Sequence, residues 1–237
     1  MRVTSVFLDD GGVLNDNEVR AAEWRRLAGD FFAPGLGGDP AAWGRANAPA
    51  YEGSWSAFVA MLERGDEFDP GFWPRTNRVW LHAMCADVGV APPRDDEIDA
   101  LNAAALAHIN ERVRAGYPDA VPGVRAIASR GVALHTASGS LSTDLDPLLR
   151  GMGIREAFGM LFGPDLVGAW KKGARYYEGI VSVTGVDPRS ALVVDDAPHV
   201  LDAAADVGFG TALMSRAGGT PTRHRRVRSL AEVAELL

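Results

Sequence analysis

The chain has 237 residues, which is enough for one large domain or for a domain that carries a sizeable insertion. Hydrophobic residues make up 47% of the chain and charged residues 23%, which is usual for a globular protein with a buried core. The formal net charge of -7 argues against sequence-independent binding to nucleic acid, which depends on basic surface charge. A small anionic ligand stays compatible with that charge, because a local site can be positive on a negative protein.

The cysteine content and the hydropathy both favour a cytoplasmic protein. The single cysteine, Cys85, cannot form an intrachain disulfide, which fits a reducing compartment. The N-terminal residues lack the long apolar segment of a signal peptide. No apolar stretch approaches the ~20 residues that a membrane helix needs. We therefore expect a cytoplasmic protein that does not associate with membranes.

In chain order, the first predicted element is a buried strand over residues 3–8, which ends at Asp9. Gly11 and Gly12 interrupt the pattern directly afterwards. Residues 16–117 then carry apolar side chains at helical spacing, with prolines between the segments, including Pro34. Five of the six tryptophans lie in this stretch, which predicts a helical subdomain with an aromatic core: Trp24, Trp43, Trp55, Trp73 and Trp80.

From residue 118 onwards, strands and helices alternate. The predicted strands are 132–136, 160–162, 191–194 and 211–214, and helices are predicted between them. Ser229 and Glu232 form a capping box for a last helix, and the basic run 223–228 is interpreted as a solvated loop. This alternation predicts a doubly wound parallel sheet. The predicted architecture is an α/β core of residues 1–15 and 118–237 with a helical cap of residues 16–117.

Polar residues occupy the predicted carboxyl ends of several strands, where ligands bind in open α/β sheets. A carboxylate in this place can attack phosphorus, and neighbouring carboxylates are the oxygen ligands that Mg²⁺ prefers. A lysine balances the remaining charge, and a threonine hydroxyl can donate to a phosphoryl oxygen. The residues that combine these properties are Asp9, Thr136, Lys171, Asp195 and Asp196.

Four segments, in order, resemble the motifs of the haloacid dehalogenase (HAD) superfamily. They are residues 6–14 (VFLDDGGVL), 132–136 (VALHT), 170–177 (WKKGARYY), and 191–196 (ALVVDD) with its continuation to Gly208. The resemblance covers the whole chain. It implies a Rossmann-like core, with the family's C1-type helical cap inserted between the first and second motifs.

The resemblance also implies a role for each matching residue. Asp9 would be the nucleophile and a metal ligand. Thr136 would bind phosphoryl oxygens, and Lys171 would secure both Asp9 and the phosphoryl group, with Lys172 as the alternative lysine. One or both of Asp195 and Asp196, together with the backbone carbonyl of Gly11, would hold Mg²⁺.

Two further positions, Asp16 and Ser138, are expected to contact the substrate. Asp16 follows the first motif where the chain enters the cap, and its alternative role is that of a solvated hinge residue. The implied substrate is a small phosphorylated metabolite. A homodimer formed through the tryptophan-bearing cap is left open.

The first motif departs from the family pattern at Gly11. Phosphatases of the family carry a second Asp at this position, which protonates the leaving group and later activates water. Losing a general acid typically costs about 10²–10⁴-fold in rate, although a good leaving group reduces that cost. Asp10 is not a substitute, because neighbouring side chains in a strand-like segment point in opposite directions.

The fourth motif departs from the pattern at Val200, where the family usually has Asp or Asn. The metal site is weaker without this residue, unless a neighbour such as His199 compensates.

Three interpretations follow from these departures. The first is a Mg²⁺-dependent phosphatase that forms an aspartyl phosphate on Asp9. The second is a protein of impaired catalysis that binds an anionic ligand. The third is a dehalogenase-like hydrolase, although dehalogenases of the family typically carry Ser-Asn in place of the Asp195–Asp196 pair. The family's Schiff-base mechanism does not apply, because it needs a cap lysine and residues 16–117 contain none. The sequence favours the phosphatase.

Overall fold

A computed structural model of the chain describes residues 2–218 and 222–237. The chain divides into two compact units. One unit combines the N-terminal segment up to Asn17 with the segment that starts at Ala115, and the other is the continuous stretch Glu18–Arg114. None of the helices in the described part of the chain combines the length and the hydropathy that are needed to cross a bilayer.

The unit Glu18–Arg114 is helical. Its helices are α1 (Asn17–Leu36, whose first residue belongs to the other unit), α2 (Pro40–Arg64), α3 (Phe72–Val88) and α4 (Ile98–Arg112). The Asp39 carboxylate accepts a hydrogen bond from Ala42 N and caps α2. Pro34 does not separate two helices as predicted. It lies near the end of α1, where the proline disrupts only a few of the helix's backbone hydrogen bonds.

The tryptophans of the helical unit are only partly in its core. Trp43 and Trp80 are buried, and Trp80 Nε1 donates a hydrogen bond to Asn47 Oδ1 at 2.9 Å. Trp55 is 48% exposed and packs on Phe58 with ring centroids 5.4 Å apart. The predicted aromatic core is therefore confirmed for Trp43 and Trp80 but wrong for Trp55.

The other unit contains a parallel sheet with the strand order β3-β2-β1-β4-β5-β6 in the described residues. The strands are β1 (Ser5–Leu8), β2 (Ala133–Ala137), β3 (Leu161–Phe162), β4 (Ala191–Asp195), β5 (Gly210–Met214) and β6 (Arg225–Val227). The helices are α5 (Ala120–Ala128), α6 (Ser142–Gly151), α7 (Pro164–Val167), α8 (Ala174–Thr184), α9 (Pro198–Val207) and α10 (Leu230–Glu235). This arrangement confirms the predicted α/β fold with a helical insertion after the first strand.

The central strand β1 is buried on both faces, as expected when helices cover both sides of a parallel sheet. Val6 and Leu8 belong to one apolar cluster, which includes Val124 of α5. Phe7 belongs to a second cluster, which includes Ile180 of α8. Because successive side chains of a strand point to opposite faces, alternate residues of β1 pack against different helical layers.

The basic run near the C-terminus is not the solvated loop that its charge suggested. Arg225, Arg226 and Val227 form the edge strand β6, which pairs in parallel with β5. Val227 is buried in the core while Arg225 is exposed. With one apolar side chain in the strand, the run shows no alternating hydrophobic pattern, so the pairing with β5 could not be inferred from sequence.

The predicted cap of the last helix is confirmed in part. Ser229 accepts a hydrogen bond from Glu232 N. The Glu232 carboxylate accepts one from Arg228 N at 2.9 Å, one residue earlier than a capping box requires.

A matched pair of glycine substitutions tests how closely α5 and α10 pack. A Cβ at Gly123 would overlap Leu230 Cβ, whereas nothing lies within 4 Å of the corresponding position at Gly53 in α2. We expect Gly123→Ala to lower the free energy of unfolding by about 1–3 kcal/mol because of overpacking. Gly53→Ala should raise it by up to ~1 kcal/mol, since alanine is the better helix former. Denaturant unfolding followed by circular dichroism measures both, and a stabilised Gly123→Ala variant would contradict the packing.

Candidate active site

The site is built on the carboxyl ends of two neighbouring strands. Asp9 follows β1 directly, and its backbone N–H donates to Val194 O at 3.0 Å. Asp195 ends β4, which pairs in parallel with β1. Because parallel strands present their carboxyl ends at one edge, the side chains of Asp9 and Asp195 share a location although 186 residues separate them in the chain.

Lys171 connects these two carboxylates. It lies between α7 and α8, and its side chain is 7% exposed. Its Nζ is 2.8 Å from Asp9 Oδ1, to which it donates a hydrogen bond, and 2.6 Å from Asp195 Oδ2. Lys172 is exposed instead. Of the two adjacent lysines, the structure thus brings Lys171 to the predicted nucleophile.

The charges in this buried cluster shift one another's protonation. Burial favours the neutral form of Asp9 and raises its pKa, with Asp195 and Asp10 adding to the effect and Lys171 opposing it. Burial alone would lower the pKa of Lys171, but Asp9 and Asp195 outweigh it and hold that pKa well above its ordinary value. The two acids therefore favour the charged ammonium form of Lys171.

Three carboxylates form a cluster that suits a metal ion. Oxygens of Asp9, Asp195 and Asp196 all lie within 4.8 Å of one another. Asp195 Oδ1 accepts from Ala197 N at 2.8 Å, whereas the buried Oδ2 has the ion pair with Lys171 but no hydrogen bond of good geometry. A set of hard oxygen donors with an incompletely satisfied buried carboxylate fits a divalent cation such as Mg²⁺.

Gly12 makes room for the third carboxylate. A Cβ at this position would overlap the Asp196 side chain, and the backbone has φ = 70°. Both features favour glycine. The glycine at position 12 thus has a packing reason as well as a conformational one.

Thr136 and Ser138 are fully buried at the end of β2. Thr136 Oγ1 donates to Phe162 O at 3.2 Å, and Ser138 Oγ donates to Asp10 Oδ1 at 2.6 Å. Tyr176 OH donates to the backbone oxygens of Ser138 and Phe162, at 2.9 and 3.0 Å. Both predicted phosphate-binding hydroxyls bond to protein groups, so their contacts with substrate stay predictions.

Asp10 is buried and has hydrogen bonds to both its side chain and its backbone oxygen. Its carboxylate takes the bond from Ser138, and its backbone oxygen accepts from Leu14 N and Asn15 N at 2.9 and 2.8 Å. Asp10 therefore shapes the loop that follows Asp9. Sequence reasoning missed this role, because its partner Ser138 is 128 residues away.

The remaining predicted residues have less distinctive surroundings. Gly11 is partly buried and forms an isolated bridge with Asn15. Asp16 is half-buried, and its backbone N–H donates to Ala115 O at 2.8 Å. The metal contact of Gly11 and the substrate contact of Asp16 stay predictions.

The departure in the fourth motif has a packing explanation. Val200 is buried in the same apolar cluster as Leu201, and the adjacent His199 is exposed. The position at which the sequence comparison expected a polar residue is part of the core here.

Arg216 is a further residue that the sequence did not single out. Its NH1 donates to Asp119 Oδ1 and its NH2 to Val13 O, both at 2.7 Å, and its Cζ lies 3.7 Å from the centre of the Tyr117 ring. It secures the loop after Asp9 from the far end of the chain. In a chain with 22 arginines, no local signal marks this one.

Comparison with known proteins places this site in a family. Residues 6–208 match the haloacid dehalogenase-like hydrolases, and the chain belongs to this family and is a hydrolase. The phosphatase MT3486 of Mycobacterium tuberculosis (strain CDC 1551 / Oshkosh) is 26% identical over 159 residues, which are 67% of this chain and 69% of the relative.

A second curated relative is enolase-phosphatase E1 of Granulibacter bethesdensis (strain ATCC BAA-1260 / CGDNIH1). It is 35% identical over 126 residues, which are 51% of this chain and 54% of the relative. The chain thus spans about half the length of this relative.

Solved structures share the fold. The defluorinating L-2-haloacid dehalogenase Rha0230 superposes with a TM-score of 0.70 at 20% identity, covering 99% of this chain and 95% of the other. The HAD hydrolase YfnB of Bacillus subtilis, bound to magnesium, gives a TM-score of 0.66 at 15% identity, covering 100% and 99%. At these identities the likeness shows the architecture and not the substrate.

The adjacent lysines provide a test of the ion pair. Lys171→Gln would leave Asp9 and Asp195 buried without their cation, so we expect the free energy of unfolding to fall by about 3–5 kcal/mol. Lys172→Gln changes an exposed side chain and should have an effect within about 0.5 kcal/mol. Urea unfolding in the presence of a chelator measures both. Equal effects of the two substitutions would show that the pairing is wrong.

Gly12→Ala tests the room made for Asp196. We expect it to weaken Mg²⁺ binding at least tenfold, because the new methyl group displaces the carboxylate. Gly131→Ala is the matched control, since Gly131 also has a positive φ (74°) but open space around it. It should cost about 1–2 kcal/mol of stability from backbone strain and leave Mg²⁺ binding unchanged. Isothermal titration calorimetry measures the affinity, and equal binding by both variants would argue against a metal at Asp196.

Proposed function

We propose that this hydrolase is a Mg²⁺-dependent phosphatase that transfers the phosphoryl group of a small phosphorylated metabolite to Asp9 and then to water. We take the inserted helical unit as the family's C1-type cap, which would select the metabolite. The observation that carries the proposal is the Lys171 ammonium between Asp9 and Asp195, in a cluster completed by Asp196.

The charge of this cluster supports a metal-assisted reaction. When all three acids are ionised, as metal binding requires, three carboxylates and one ammonium leave two negative charges in excess, which would repel a phosphate. A divalent cation held by Asp9, Asp195 and Asp196 would remove that excess and would supply charge stabilisation for the transferring group. The acid pair at the end of β4 therefore favours phosphoryl chemistry over a metal-free attack on carbon.

In the first proposed step, an Asp9 carboxylate oxygen attacks phosphorus while the bond from phosphorus to the leaving oxygen breaks. The leaving oxygen keeps the bonding electron pair, and an aspartyl phosphate results. Lys171 faces Asp9 and offsets the charge that develops near it. In the second step, water attacks the phosphorus, which returns Asp9 as a carboxylate and releases inorganic phosphate.

The names of two relatives, a phosphatase and an enolase-phosphatase, support this choice without identifying the substrate. YfnB is a HAD hydrolase bound to magnesium, which makes a metal in the same fold chemically reasonable. The dehalogenase neighbours support the fold that they share with this chain.

Turnover of acetyl phosphate and p-nitrophenyl phosphate tests the proposal. We expect Mg²⁺-dependent phosphate release that a chelator removes. Asp9→Asn should reduce it to the uncatalysed background, because the nucleophile is lost. Asp206→Asn, an exposed change of the same chemical kind, should keep the parent rate. Absence of phosphate release in the parent, or release of halide from a 2-haloacid, would overturn the proposed activity.

A further inference from the structure

The space next to Gly11 contains a specific side chain. A Cβ at position 11 would lie 3.0 Å from Asn17 Oδ1 and 3.2 Å from Asn17 Nδ2. Asn17 is the first residue of α1 and is exposed. The carboxamide of Asn17 thus lies against the place where a side chain of residue 11 would begin.

This placement matters because position 11 is where phosphatases of the family carry their leaving-group acid. An exposed carboxamide at that place is accessible to a substrate. It has two N–H donors and one acceptor oxygen, so it can bond to a leaving oxygen. Unlike a carboxylic acid, however, an amide does not give up a proton near neutral pH.

We propose that Asn17 donates a hydrogen bond to the leaving-group oxygen in place of the missing acid, so that the site selects phosphates whose leaving group departs as a stable anion. Acyl and aryl phosphates belong to this class, and alkyl phosphates do not. The proposal rests on the proposed phosphatase function.

The bonds and charges balance without a protein acid. As Asp9 bonds to phosphorus, the bond to the leaving oxygen breaks and its electron pair stays on that oxygen. The Asn17 N–H stabilises the resulting anion and keeps its own proton. The anion leaves as a carboxylate or phenolate and takes up a proton from water only if its own basicity requires one.

The adjacent acid does not fill the gap. Asp10 is buried, and its Oδ1 accepts the 2.6 Å hydrogen bond from Ser138. This bond holds the Asp10 carboxylate to Ser138, directly after β2.

The test compares kcat/KM for p-nitrophenyl, phenyl and alkyl phosphates with Mg²⁺ present. Asn17→Asp places a carboxyl group in the same position, so we expect the ratio of phenyl to p-nitrophenyl phosphate turnover to rise on the order of 10²-fold. The gain should appear as a new limb in the pH profile, with activity on phenyl phosphate falling as the carboxyl group loses its proton. Asn17→Ala should lower the same ratio by about five- to tenfold, because the hydrogen bond is lost.

Controls separate this effect from folding. Asn17→Asp adds a carboxylate at the N-terminus of the 20-residue helix α1, which the helix dipole tolerates. Asn17→Ala covers the case in which the acidic variant does not fold. Glu235→Gln changes an exposed carboxyl to an amide in α10 and should leave the leaving-group ratio unchanged.

A double substitution gives an independent readout. Gly11→Asp alone must fit against the Asn17 carboxamide, whereas Gly11→Asp with Asn17→Ala has space for the new acid. We expect the gain in alkyl phosphate turnover to be larger in the double variant than the two single effects combined.

Three outcomes decide the proposal. A higher ratio of phenyl to p-nitrophenyl phosphate turnover in Asn17→Asp, and a lower one in Asn17→Ala, support it. Turnover in the parent with ratios that neither Asn17 variant changes would overturn the role of Asn17 and leave the phosphatase standing. A parent that hydrolyses none of these phosphates would overturn both.

Discussion

One buried ammonium is the interaction on which the site depends. Lys171 faces Asp9 at the end of β1 and Asp195 at the end of β4, at 2.8 and 2.6 Å. A buried carboxylate is costly unless it is paired, and here two carboxylates share one cation. The pairing allows two acids to lie close together at the edge of an apolar sheet, and together with Asp196 it forms a donor set that suits a divalent metal ion.

Residues around this cluster make room for it and hold the neighbouring loops in place. Gly12 leaves space for Asp196. Arg216 donates hydrogen bonds to Val13 O in the following loop and to the Asp119 carboxylate, and so connects the two. The hydrogen bond from Ser138 to Asp10 connects the segment that follows β2 to the segment that follows β1. Hydrogen bonds between buried polar groups hold these segments in one geometry.

The two departures from the family pattern have different physical consequences. At Val200, an apolar side chain is part of the core and offers no oxygen to a metal ion. At Gly11, the side chain is lost at the surface of the site, and the Asn17 carboxamide lies beside the vacant position. Under the proposed function, the first change would act on metal affinity and the second on the leaving group, so the two effects would be separable.

The sequence by itself determined the succession of the main strands along the chain, the insertion of a helical segment after the first strand, and the set of acids at the strand ends. These features are local, because an apolar run next to glycine or a carboxylate encodes them within about ten residues. Only the tertiary structure decided between Lys171 and Lys172, paired β6 with β5, and brought Ser138 to Asp10 and Asn17 to Gly11. Most of these depend on how distant segments pack against the assembled sheet, and the Asn17–Gly11 contact depends on the path of the loop between them; periodicity along a single segment carries no information about either.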